Sequence, residues 1–197
     1  MTDLSAISDF IRELDKLKAV KRQVRIPEDG DRQENSAEHS WHVALMAVSL
    51  SRFAGNDVSL ARVVQMILIH DLVEIDAGDM FAFANDAHHE EQEVKERAAA
   101  DRIFGLLPSP LNTELRELWQ EFEDAETPDA QFAKAMDRVL PVFQNMKAGG
   151  GSWARNGIAR SQILKRNAFL EQNAPALWDY VKEQTDIAVA RGYLKDA

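Results

Sequence analysis

A chain of 197 residues matches one domain of the usual roughly 100–200 residues and leaves no room for a second catalytic module. With 45 % hydrophobic and 28 % charged residues, and only 9 Gly and 6 Pro, it is neither disordered nor collagen-like and reads as a helix-rich globule. The formal charge of −10 has the wrong sign for a nucleic-acid polymer or an anionic membrane surface, and the absence of Cys removes disulfides, thiolate zinc sites and Cys nucleophiles together.

The N-terminal stretch mixes Asp3, Asp9 and Arg12 among apolar residues and lacks the basic flank and apolar core of a signal peptide, so a cytoplasmic protein is expected. Leu4, Ile7, Ile11, Leu14 and Leu17 form the stripe of an amphipathic helix ending near Val20. Charges, Pro27 and Gly30 then break the pattern, and 21–33 reads as a loop. Asn35 or Ser36 can cap a second helix whose apolar positions Trp41, Leu45, Val48 and Phe53 keep helical spacing until Gly55. Ser59 can cap a third, running from Leu60 to about Glu74 and apolar almost all round, which predicts a central place in the bundle. Its longest apolar run, Val63 to Ile69, is far too short to cross a bilayer.

Asp86 to Phe104 reads as a charged surface helix closed by Gly105, while Ser109-Pro110 and Thr127-Pro128 open two more. The helix after Thr127 meets Pro141 in mid-pattern, which predicts a kink near Asp137. Gly149 to Gly151 reads as a flexible hinge, followed by helices over 157–170 and 175–191. No internal repeat, Gly-rich phosphate loop or convincing β-alternation is present, so the expected fold is all-α, a single helical bundle over 1–197.

Chemistry concentrates where polar residues interrupt this apolar pattern. His70-Asp71 follows the apolar run of the third helix, and Glu74 lies four residues on from His70, on the same helical face. By itself such a pair reads more simply as a hydrogen-bonded core His beside a helix-end Asp. Glu38-His39 at the start of the second helix and Asp137 among apolar residues change that reading. Two imidazoles and two carboxylates from three helices would make a mixed nitrogen and oxygen site, suited to Mn²⁺, Co²⁺, Fe²⁺, Ni²⁺ or Zn²⁺ and less to Mg²⁺. One such ion would supply the positive charge that an acidic protein lacks and polarise a phosphoryl oxygen.

The order His39, His70-Asp71, Asp137 resembles the H…HD…D signature of the HD-domain metal-dependent phosphohydrolases. The segments Glu34-Asn35-Ser36-Ala37-Glu38-His39-Ser40, His70-Asp71-Leu72-Val73-Glu74 and Ile75-Asp76-Ala77-Gly78-Asp79-Met80 are similar to the small 5′-deoxynucleotidase group within it, over about 17–147. That resemblance implies an all-α fold, one divalent metal held by His39, His70, Asp71 and Asp137, hydrolysis of deoxyribonucleoside 5′-monophosphates, and a homodimer. It also implies Glu74 as general acid or base, Asp79 as a contact to the sugar or an orienting group, and Arg22 as phosphate clamp, with Arg25 on the same loop as the alternative. Members of the group carry a Trp just after this Arg. Gln23, Val24 and Arg25 stand there instead, which bears on discrimination against a 2′-hydroxyl.

Other readings stay open on the residues alone. An HD-type site could take a cyclic nucleotide, a triphosphate or an alarmone, or the chain could bind metal or nucleotide without catalysis. His88-His89 occupy the segment where two-metal relatives place further ligands, but the additional His of that class is absent, so one metal is expected. His42 reads as a core or surface His, and Trp119, Trp153 and Trp178 as core or dimer-contact aromatics.

Overall fold

The computed structural model describes residues 2–55, 57–84 and 86–197. Helix α1 (Asp3–Leu14) starts at Thr2, whose hydroxyl accepts from the Ser5 N–H, and passes into a 3₁₀ turn over Asp15–Ala19. The segment expected as a loop is instead an antiparallel hairpin of β1 (Lys21–Ile26) and β2 (Arg32–Asn35), with Lys21 opposite Asn35 and Arg25 opposite Gln33. Its alternation is masked because the inward positions are mostly polar, Arg22 and Glu34 among them, and because the register shifts between Lys21 and Arg25.

Strand β2 runs without a linker into α2 (Ser36–Ser49). Asn35 caps it: its Oδ1 accepts from the Glu38 N–H at 3.0 Å, while the Glu38 carboxylate accepts from the Asn35 N–H at 3.2 Å, a reciprocal capping box. The face that α2 buries is Ser36, His39, Ser40, Val43, Ala44 and Ala47. Trp41, Leu45 and Val48, the apolar positions with helical spacing, lie on the opposite side and are 61 %, 48 % and 48 % exposed. Small residues on the buried face let α2 lie close to α3 (Leu60–Ile69) and α7 (Pro128–Lys147).

Within α3, Val63, Met66 and Ile67 are fully buried, but Leu68 is about half exposed, so the helix is central on one side only. Nor does it reach Glu74. It gives way at His70 to a 3₁₀ turn, His70–Val73, followed by the short α4 (Glu74–Ala77) and Gly78 at φ +76°. The reason is a competing donor. The indole N–H of the buried Trp119 bonds the His70 carbonyl at 3.1 Å, and the Glu74 N–H, its partner in a continuous α-helix, goes to Asp71 and Leu72 instead. Replacing Trp119 by Phe keeps the ring and strands this carbonyl. The expected cost is about 1–3 kcal/mol, read as a lower urea midpoint, and an unchanged midpoint would refute this account of the turn.

Helix α5 (Asp86–Phe104) ends at Gly105 as the sequence predicts, and α6 (Leu111–Asp124) and α7 follow their proline signals. Helix α7 continues through Pro141 to Lys147. The expected helix over 157–170 is divided into α9 (Arg160–Asn167) and α10 (Leu170–Asn173), with α8 (Gly151–Asn156) before it and α11 (Pro175–Ala190) closing the bundle. The triple Gly forms a pinned turn rather than a hinge: Asn145 Oδ1 accepts from the Ser152 N–H at 2.7 Å and the Ser152 hydroxyl at 2.9 Å. A Cβ on Gly151 would lie 2.6 Å from that same oxygen, so only Gly fits.

Two apolar cores result. The larger joins Val43, Met66, Ile67, Phe122, Met136 and Leu140 with the C-terminal helices; the smaller joins Phe10, Leu72, Ile103, Phe104 and Trp119. The His70–Val73 turn crosses from one to the other, which sets His70 and Asp71 at their seam. Among the described residues no helix is long and apolar enough to cross a membrane.

Candidate active site

His39 from α2, His70 from the 3₁₀ turn and Asp137 from α7 each offer a ligand atom, all within 4.8 Å of one another. Asp137 Oδ1 is the shared point, 3.0 Å from His39 Nε2 and 3.6 Å from His70 Nε2. Asp71, the fourth expected ligand, adjoins this set: its Oδ1 lies 3.0 Å from His70 Nε2, and its Oδ2 accepts from Arg22 at 2.8 Å.

Both imidazoles are held from behind. His70 Nδ1 meets the Ile67 carbonyl at 2.7 Å, which fixes the N–H there and turns the lone pair of Nε2 inward. His39 Nδ1 faces Glu34 Oε2 at 3.4 Å, and Gln144 donates to the other Glu34 oxygen at 2.7 Å. His70 Nε2 is buried without a hydrogen-bond partner, although two carboxylate oxygens converge on it. Converging lone pairs repel unless a cation or a proton lies among them, and a nitrogen-rich set with carboxylate oxygens is the donor chemistry of a divalent transition ion. These residues therefore fit a metal.

Their electrostatics agree. Burial would depress the His70 imidazole, but Asp71 and Asp137 overcome it and hold the group well above its ordinary value, so a proton substitutes for the cation. Burial likewise would raise Asp137, yet His39 and His70 keep it well below the carboxylate range. Glu74 behaves oppositely. Burial, reinforced by Asp71 and opposed by Arg22, lifts its carboxyl well above the usual range, while Ser36 donates to its Oε2 at 2.5 Å.

Asp79 is raised to about 6, by burial first and by Asp71 in addition, against the pull of Arg22. Because the folded value exceeds the unfolded one of about 3.9, its protonated form stabilises the fold. That contribution, about 3 kcal/mol, is complete below roughly pH 4 and lost as pH rises through 6. In metal-chelated protein, Asp79→Asn should remove this loss. The difference between wild-type and variant urea stabilities should change between about pH 4 and pH 6 and level off on either side, and parallel curves would refute it.

Arg22, on β1, points inward, its Nη1 at 2.8 Å from Asp71 and 3.5 Å from both Glu74 and Asp79. Arg25 donates instead to the Asp31 carbonyl at 2.6 Å in the hairpin turn, so of the two only Arg22 contacts these carboxylates among the described residues. His42 is exposed beside Trp41, and His89 lines the same cleft as His70, Asp71 and Glu74. Two hollows meet at the site. One, of about 670 Å³, is walled by Phe81, Phe83, Pro141, Val142, Trp153 and Ile163. The other, of about 1060 Å³, holds His70, Asp71 and Glu74. Arg22, Asp79, Asp137, Arg138 and Arg166 line both. Trp153 is thus a cavity wall as well as a core aromatic, Trp119 is a core residue bonded to the site, and Trp178 packs against the core.

Sequence reasoning overlooked Glu34 and Ser36 as site residues, although both lie in the segment around His39, and it overlooked Arg138 and Arg166. Burial pulls both arginines below their usual value. Only the position of Arg138, directly after Asp137, could have signalled either.

A family model described as an HD domain matches residues 14–178. The chain belongs to the HD-domain family. It is 30 % identical over 142 residues to the 5′-deoxynucleotidase HDDC2 of Xenopus laevis, covering 72 % of this chain and 69 % of that protein. The protein of the same name from Homo sapiens is 31 % identical over 71 % of this chain and 66 % of its own length; the chain thus spans about two thirds of either relative. A solved structure of a predicted metal-dependent phosphohydrolase from Magnetospirillum magnetotacticum MS-1 superposes with a TM-score of 0.89 at 45 % identity, covering 97 % of each chain. The HD-domain fold expected from the motif order is present, with the hairpin and an isolated bridge between Ala159 and Lys195 as departures from an all-α bundle among the described residues.

Proposed function

We propose that this HD-domain chain is a metal-dependent 5′-deoxynucleotidase, cleaving deoxyribonucleoside 5′-monophosphates to deoxynucleoside and phosphate within a single catalytic domain, residues 1–197. The observation that carries the reading is the junction of two environments: His39, His70 and Asp137 converge at the mouth of an aromatic-walled hollow that offers flat apolar faces to a base. The relatives named 5′-deoxynucleotidase support the same reading.

His39, His70, Asp71 and Asp137 would hold one divalent ion, Mn²⁺, Co²⁺, Zn²⁺, Ni²⁺ or Fe²⁺ in preference to Mg²⁺. When bound, such an ion supplies Lewis-acid stabilisation of the phosphoryl oxygens and lowers the pKa of a water. The protein's own residues do the rest. Arg22 orients the phosphoryl group from the hairpin side. Glu74, kept protonated by burial and fixed through Ser36, is placed to give its proton to the leaving 5′-oxygen. Asp79 faces the sugar at the cavity mouth, Phe81 and Trp153 offer apolar faces to the base, and Gln23 and Val24, which line the same cavity, border the 2′ position.

The test is phosphate release from deoxy- and ribonucleoside 5′-monophosphates, with cyclic, triphosphate and alarmone controls, by stripped protein reloaded with each metal. Release confined to deoxy monophosphates supports the reading; release from the controls alone, or none with metal bound, overturns it.

The exposed apolar face of α2 supports a homodimer. Trp41 and Leu45 border an apolar groove of about 830 Å³ with Leu140 and Phe143, a surface of the kind that marks an interface. Leu45→Glu should convert the dimer to a monomer in sedimentation, and a mass unchanged by the substitution would exclude this face.

A further inference from the structure

We infer that Arg138 and Arg166 form a second anion-binding element of the cleft, one that grips the phosphate on the side opposite Arg22. The inference rests on the nucleotidase reading for the identity of the natural ligand, though not for the existence of the site.

Four cationic side chains from Lys and Arg line the two hollows, and they differ in what they already hold. Arg22 is committed to Asp71, with Glu74 and Asp79 close by. Lys134 is committed to Glu123 at 2.8 Å. Arg138 and Arg166 have no carboxylate partner among the described residues, yet both line the two hollows beside Asp137. The Nε of Arg138 is buried with no hydrogen-bond partner, while one terminal nitrogen donates to the Arg166 carbonyl at 3.0 Å and the guanidinium stacks 4.9 Å over Phe169. That leaves a rigid, oriented guanidinium with an unused donor, next to a second guanidinium of the same charge.

Burying two like charges with an unused donor is costly unless a ligand compensates. An anion in the hollow that both side chains line would relieve the repulsion between the two guanidinium groups. The charge balance of the site requires the same thing. Asp71, Asp137 and Asp79 surround the site, and the three positive charges of a divalent ion and Arg22 do not outweigh these carboxylates together with an incoming dianion. Guanidinium pairs match tetrahedral oxyanions through parallel N–H donors. Helices α7 and α9 therefore complete, from the far side, a grip that the hairpin only begins.

Inorganic phosphate binding to metal-chelated protein, measured by calorimetry, isolates the protein's own cations from the metal. Wild type should bind phosphate, Arg166→Gln and Arg138→Gln should each weaken it at least tenfold, and Arg25→Gln, in the hairpin turn, should leave it unchanged. Thermal melts verify folding; because Arg138 also holds the Arg166 carbonyl, Arg138→Lys, which keeps charge and bulk, should bind phosphate better than Arg138→Gln. In metal-loaded protein the Arg166→Gln loss should appear mainly in KM for the monophosphate, not in kcat. Equal phosphate affinity in wild type and the folded Gln variants overturns the inference, as does a wild type that binds none. Should phosphate binding depend on both arginines while no nucleoside monophosphate is hydrolysed, the anion site stands and the nucleotidase reading falls.

Discussion

Glu74→Ala is expected to lower kcat by about 10²–10⁴, the usual worth of a positioned general acid or base, while metal content per chain stays at the wild-type value. The two readouts separate chemistry from assembly. Glu74 is not among the three residues whose ligand atoms cluster; it contacts Ser36 and stands 3.5 Å from Arg22. Its raised pKa, caused first by burial, favours the protonated form that a general acid needs. The acidic limb of the kcat profile should therefore survive in Glu74→Gln at greatly reduced amplitude, while the limb at higher pH disappears. Wild-type turnover in Glu74→Ala would remove the residue from the mechanism, and simultaneous loss of metal would recast it as a ligand.

Asp137→Asn should weaken divalent-ion binding by more than the roughly 10–100-fold that loss of an outer supporting group costs, measured by competition with a chromophoric chelator. Asp137 Oδ1 is the one oxygen close to both imidazoles, so its charge cannot be replaced from either side. A second consequence appears without metal. Asp137 has a folded pKa held low by the two imidazoles, a contribution present above the unfolded value of about 3.9 and lost as pH falls through the folded one. His70, held high by Asp71 and Asp137, contributes below about 6.5 and loses that as pH rises through its own folded value. The paired charges coexist between these limits, so the chelated variant should be less stable than wild type at pH 5–6. A variant with wild-type metal affinity would exclude Asp137 from the site.

Much of the site was readable because its residues interrupt strong patterns. His70 and Asp71 end an apolar run, and Asp137 stands among apolar neighbours on a proline-marked helix, so their polarity demanded an explanation. The helix starts at Asn35 and Thr127 carried their caps in sequence, and both caps form. What escaped was set by contacts distant in sequence. The end of α3 at His70 depends on Trp119, 49 residues away, and no local propensity encodes that donor. The hairpin escaped because its inward residues are polar for the sake of the site rather than apolar for the sake of a core. On α2, apolar residues occupy two faces, and periodicity alone cannot tell which one meets α3. Arg138 and Arg166 owe their place at the site to the packing of α7 and α9, which no local pattern in the sequence encodes.

The joint between β2 and α2 has an implication for how this protein can change. Asn35 is at once the last residue of the strand and the cap of the helix, so Arg22 and His39 belong to one continuous rigid piece. One residue inserted there would rotate α2 by about 100°, moving His39 into the place of Ser40, away from Asp137, and the exposed His42 into the buried place of Val43. The joint can therefore exchange side chains but not length, and insertions that diversify substrate choice are confined to the hairpin tip at 27–31, where added residues leave the register of the metal-facing helix untouched.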